Sequence, residues 1–93
     1  MNSIDPIHFA GSDTFSLRQL DELNGLSKGT SFRWFKACEA ELSEGVDYFH
    51  LSADEYSELI DSLRASGLIY TSTRHLLLLT RCGYECMRAR SMR

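Results

Sequence analysis

The segment from Ser16 to Leu42 constrains the chain most, because it carries two short helical patterns joined by a tight, glycine-containing link. Ser16-Leu-Arg-Gln19 has the capping-box pattern, in which a serine hydroxyl and a glutamine side chain satisfy each other's backbone donors at a helix start. Leu17, Leu20 and Leu23 give that helix a buried stripe, and Asn24-Gly25 supplies residues that tolerate the backbone of a helix end. After Gly25-Leu26-Ser27, the hydroxyl of Ser27 is placed to cap a second helix over residues 28–42. At about 100° per residue, Phe32, Phe35, Cys38 and Leu42 fall in one sector, its expected core face. Gly29, Thr30, Arg33, Ala37 and Ala40 fall in the opposite sector, with Lys36 at its edge. Small side chains around a long cation let a helix backbone approach a large partner closely.

The rest of the chain reads as a small α+β domain. Val46 to Leu51 is rich in aromatic and β-branched residues and is expected to be a strand. Ser52-Ala-Asp-Glu55 is a second capping box, followed by Tyr56, Leu59, Ile60 and Leu63 at amphipathic helical spacing. Residues 68–70 and 75–79 resemble two strands of a hairpin joined across Thr71 to Arg74, and Thr80 is placed to cap a last helix. Residues 1–13 are expected to be a polar leader, poorly ordered; residues 14–90 the domain; and residues 91–93 a basic tail. With 93 residues the chain suffices for one domain, so Phe35 and Leu59 are expected to share a single core.

The net charge of −3 argues against a uniformly basic nucleic-acid binder, but the signs are segregated. Between Leu26 and Cys38 the only charges are Lys28, Arg33 and Lys36; from Glu39 to Asp61 every charged side chain is acidic; from Arg74 onward arginines dominate. Two short helices with a tight turn, followed by strands that form a wing, are the elements of a winged helix-turn-helix, mainly helical with a short sheet. That arrangement sends helix 28–42 into the major groove of duplex DNA, where Lys28, Thr30, Ser31, Arg33, Lys36 and, from the wing, Arg74 are the expected contacts. Trp34 lies off the Phe32–Phe35 stripe and is expected to be half-buried, covering a second apolar layer or anchoring a partner.

The segment from Ser16 to Lys36, Ser-Leu-Arg-Gln-Leu-Asp-Glu-Leu-Asn-Gly-Leu-Ser-Lys-Gly-Thr-Ser-Phe-Arg-Trp-Phe-Lys, resembles the helix-turn-helix of small prokaryotic regulators of the MerR and excisionase type. Glu44-Gly-Val-Asp-Tyr-Phe-His-Leu51, followed by Leu79-Thr-Arg-Cys-Gly-Tyr84, is similar to the N-terminal DNA-binding domains of phage antirepressors of the KilA-N and Bro-N group. Together these stretches cover residues 15–87. Two positions depart from the usual pattern: Asp21 stands where many such units have a small residue, and Ser31 where they have a branched aliphatic. The resemblance implies a phage or prophage transcriptional regulator that binds duplex DNA, as a homodimer because one short helix reads only a few base pairs. A different class is the alternative: a phage-encoded, anti-CRISPR-like inhibitor whose acidic face over residues 39–61 blocks the nucleic-acid-binding site of a host defence complex. Its contacts would be Glu44, Asp47, Asp54, Glu55, Glu58 and Asp61.

No catalytic function is expected. Gly-rich phosphate loops, nucleophile elbows and paired metal-ligand motifs are missing from the sequence, and His8, His50 and His75 are scattered. Cys82 and Cys86 are four residues apart, without a second ligand pair nearby, so neither a metal nor another cofactor is expected. The longest strongly apolar run, Leu76 to Leu79, is far too short to span a membrane, and residues 1–6 lack the features of a secretory signal, which makes a cytoplasmic location the expectation.

Overall fold

Leu76–Thr80 is the strand around which the molecule is built, and its four consecutive leucines show why. Side chains alternate between the two faces of a strand, so an unbroken apolar run suits a strand covered on both sides. Leu76 and Leu78 point into one apolar cluster with Ile7, Leu51, Ile60, Leu63 and Ile69. Leu79 enters a second cluster with Leu20, Phe35, Cys38, Leu42 and Met87, against which Leu77 packs. The result is three layers: one helix, a sheet, then three helices.

The computed structural model describes residues 5–91; residues 1–4 of the expected leader and 92–93 of the expected tail lie outside the described residues. In chain order the elements are β1 (Ile7–Phe9), β2 (Ser12–Ser16), α1 (Leu17–Leu23), α2 (Thr30–Cys38) with a 3-10 turn over Glu39–Glu41, β3 (Tyr48–Leu51), α3 (Ser57–Ala65), β4 (Leu76–Thr80) and α4 (Arg81–Ser91). The sheet is antiparallel throughout in the order β1-β2-β4-β3. In β4, Leu79 faces Phe15 of β2 and Tyr48 of β3, and Leu78 faces Ser16 and Phe49. The α+β class is therefore as expected, with a fuller sheet than the sequence suggests.

The capping box at Ser16 forms as the sequence predicts: Ser16 Oγ accepts from the Gln19 N–H at 3.1 Å, and Gln19 Oε1 accepts from the Ser16 N–H at 2.9 Å. Thr80 Oγ1 likewise accepts from the Gly83 N–H at 3.2 Å at the start of α4.

Several expectations are corrected. Residues 7–13, assigned to the leader, are folded: β1 and β2 form a hairpin across the two-residue turn Ala10-Gly11, both with positive φ, and Ile7 is buried in the core. The helix expected over 28–42 is regular only over Thr30–Cys38, and its N-cap is Gly29 with no side-chain cap of its own. Phe32, expected in the core, is 45 % exposed, because Ser31, Phe35 and Cys38 set the buried sector. At Ser52 the local bonds form, with the Glu55 N–H donating to Ser52 Oγ at 3.3 Å, but the chain makes a single turn and the helix begins only at Ser57. Residues 68–70 are not a strand, so no wing forms between them and β4. Arg64 holds that segment instead, donating to the carbonyls of Thr71 at 3.2 Å and Thr73 at 2.6 Å. The single core is also corrected: Phe35 and Leu59 belong to clusters on opposite faces of the sheet, since a two-sided strand divides the apolar side chains between them.

Candidate nucleic-acid interface

The position of α2 is fixed from its neighbour α1. Asp21, 1 % exposed, shares the buried side of α1 with Leu17 and Leu20. Its carboxylate accepts from the Ser31 N–H at 2.8 Å and the Gly29 N–H at 3.1 Å, two donors that the first turn of α2 leaves unpaired, and from the Tyr70 hydroxyl at 2.5 Å. Burial works against the charged carboxylate, but the bonds from Tyr70, Ser31 and Gly29 outweigh it and hold its pKa below the usual value. Asp21 thus does from another helix what Ser27 was expected to do locally. Ser27 contributes its carbonyl, which accepts from the Thr30 N–H at 3.1 Å.

Held in this way, α2 turns Phe32, Arg33, Lys36 and Ala37 to solvent. Arg33 Nη2 lies 3.3 Å from Thr30 Oγ1, and Lys36 Nζ pairs with Glu39 at 2.8 Å, an exposed contact that an incoming anion can displace. Lys28, just before the helix, is exposed, with its ammonium 5.1 Å from the Tyr70 ring centre. Arg74 is exposed in the turn before β4. Ser31 is a correction: it is fully buried, so its hydroxyl cannot reach a base. Of the expected contacts, Lys28 lines a groove beside Phe32, and Lys36 lines a second depression that shares Phe32, His75 and Leu77 with the first. Arg33 stands on the open side.

Sequence reasoning missed Phe32, Tyr70 and Arg18, whose guanidinium carbon lies 5.6 Å from the Tyr70 ring centre. The sequence signals only the need for a donor, not its identity as Tyr70: Asp21 follows Leu17 by four residues and so shares its face, and a carboxylate on a buried face requires donors.

The acidic residues do not form one face. Glu44 and Asp47 precede β3 while Asp54, Glu55, Glu58 and Asp61 follow it, so the strand holds the two groups at its opposite ends. Asp61 pairs with Arg64 at 2.8 Å and Asp47 accepts from the Ser43 N–H at 2.9 Å, while Glu44, Asp54, Glu55 and Glu58 make no ion pair among the described residues. Asp54, Glu55 and Glu58 sit with α3, on the far side of the sheet from α2. The layer of α1, α2 with its 3-10 turn, and α4 carries Arg18, Arg33, Lys36, Arg81, Arg88 and Arg90 against Asp21, Glu22, Glu39, Glu41 and Glu85, and the link between α1 and α2 adds Lys28. The net charge of −3 therefore hides a cationic excess on the side that presents α2.

Among the described residues no group of three His, Cys, Asp or Glu side chains could hold a metal ion, and no helix is long and apolar enough to cross a membrane. Cys38, Cys82 and Cys86 are free thiols; burial, with Cys86 and Glu41 nearby, raises the pKa of Cys38 and keeps it protonated. No family model, curated protein or solved structure matches the chain.

Proposed function

We propose that the protein binds duplex DNA by laying the outward face of α2 in the major groove, and acts as a phage or prophage transcriptional regulator. The observation that carries this is the solvent-facing set Arg33, Lys36 and Ala37 on a helix whose start is locked to α1 by Asp21. A small-residue surface around a guanidinium permits close approach, and the guanidinium offers the forked donors that guanine edges accept. The cationic excess of the α1, α2 and α4 layer supplies attraction to phosphate. In this reading α1 and α2 are a helix-turn-helix without the expected wing, and a homodimer extends the short contact to two half-sites.

Fluorescence anisotropy with a labelled mixed-sequence duplex at low salt tests it. Binding should weaken steeply with salt as counterions are released. Arg33→Ala should lower affinity for a selected site by about 1–3 kcal/mol, whereas Lys36→Ala weakens all duplexes similarly. Absence of binding at tens of micromolar protein would overturn the reading.

The exposed carboxylates of Asp54, Glu55 and Glu58, on the side away from α2, favour a second reading, in which the protein is an anti-CRISPR-like inhibitor that occupies a cationic nucleic-acid-binding site on a host defence complex. The double variant Glu55→Lys/Glu58→Lys then loses partner capture from nuclease-treated host lysate, and Arg33→Ala does not. Capture unaffected by the charge reversal refutes this alternative.

A further inference from the structure

Between the start of α2 and the segment leading into β4 lies a groove of about 410 Å³, a volume suited to a small organic molecule. Leu17, Ile69, Leu76 and Leu77 give it an apolar lining; Phe32 and Tyr70 add aromatic surface. Its shape is built in. The Tyr70 hydroxyl is tied to Asp21, and the Thr71–Thr73 backbone is held by the Arg64 guanidinium from α3.

The charge of the lining selects one sign of ligand. Asp21 is its only carboxylate, and both oxygens are occupied by Gly29, Ser31 and Tyr70, leaving little for a cationic ligand to engage. Arg18 and Lys28 both stand within 6 Å of the Tyr70 ring centre, and Lys28 has no carboxylate partner among the described residues. An ammonium beside an apolar, aromatic-lined groove fits an acidic group attached to a ring. We propose that this groove binds a small aromatic anion, with its ring against Phe32 and the leucine lining and its acidic group on the Lys28 ammonium. Neither DNA-contacting role of α2 nor the acidic side of α3 requires such a site.

The test uses 8-anilinonaphthalene-1-sulfonate as the anionic probe and N-phenyl-1-naphthylamine as its uncharged counterpart. Two-dimensional amide spectra of the isotopically labelled full chain are followed during each titration. The sulfonate should saturate at one molecule per chain, shift amides of residues 16–18, 28–32 and 69–77, and bind at least about fivefold more tightly than the uncharged ring. Lys28→Gln, at an exposed position, should remove that preference while the rest of the spectrum stays unchanged. Phe32→Ala should weaken both probes. Equal affinity for the two probes, a preference that survives Lys28→Gln, or shifts centred away from the groove would overturn the proposal. No nucleic acid is present, so the outcome is independent of DNA binding.

Discussion

Replacing Asp21 with alanine should be among the most damaging single changes in the protein. The alanine leaves three donors without their acceptor: the Ser31 N–H, which is buried, and the Gly29 N–H and Tyr70 O–H, which are partly so. An orphaned buried donor costs about 1–3 kcal/mol, and the partly wetted pair recover some solvation, so the total is about 3–5 kcal/mol. In a domain of this size each kcal/mol moves the melting temperature by roughly 4–8 °C, which places the expected loss at about 12 °C or more. Tyr70→Phe leaves the carboxylate its two backbone donors and should cost only about 1–2 kcal/mol. Combining the two must fall short of additivity by a similar amount, because phenylalanine removes the hydroxyl that alanine at 21 strands. Thermal and urea melts followed by circular dichroism at neutral pH measure all three variants. An Asp21→Ala protein within 1 kcal/mol of wild type, or a strictly additive double variant, would refute Asp21 as the shared acceptor. The acid limb gives an independent check. Since folding lowers the pKa of Asp21, its stabilisation is present above the unfolded value of 3.8 and is lost as pH falls through the lower folded value. Asp21→Asn should flatten that part of the stability profile.

At the alkaline end, burial and the bond to Asp21 push the Tyr70 hydroxyl up to about 12, so its stabilisation is complete below pH 10 and lost as pH rises through the folded value. Tyrosinate absorbance should show Tyr70 titrating late in the wild type, beside Tyr48, whose hydroxyl burial also pushes up, and only the Tyr70 step should shift down in Asp21→Asn. Gly83→Ala would set a Cβ 2.0 Å from the Asp47 carbonyl oxygen, which itself accepts from the Thr80 N–H; the backbone must move, and urea melts should show a loss of about 3 kcal/mol. Ala10→Asn should raise stability by about 0.5 kcal/mol in the same assay, because Ala10 has a φ of 53° in a two-residue hairpin turn where asparagine is preferred. An unchanged or lower stability refutes that account of the turn.

What could be read from the chain was what short-range bonding decides. The capping box at Ser16 and the cap at Thr80 engage residues three positions away, and both form. The same local logic misled at Ser52, where the bonds to Glu55 form without a helix following directly. The β1–β2 hairpin was hidden because Ala10-Gly11 lacks the asparagine that usually marks such a turn, and Pro6 suggested a leader. Arg33 and Lys36 were correctly placed outward by helical phase, but Phe32 was not, since its neighbours' roles depend on Asp21 reaching across from α1. A carboxylate whose partners are 8, 10 and 49 residues away leaves no local pattern.

The strand order also governs when the sheet can exist. β1 and β2 form a hairpin that shares no backbone pairing with β3; β4 alone pairs with both groups. Leu76 lies 60 positions after Ser16, so a chain emerging from the ribosome carries the β1–β2 segment, the segments of α1, α2 and α3 and an unpaired β3 until residues 76–80 arrive. Only then can Leu78 enter the first apolar cluster and Leu79 the second, which α4 completes with Met87. The sheet is therefore closed by its last strand, and a nascent chain stopped before Leu76 exposes the apolar sides of the earlier elements to whatever chaperone or protease meets it first.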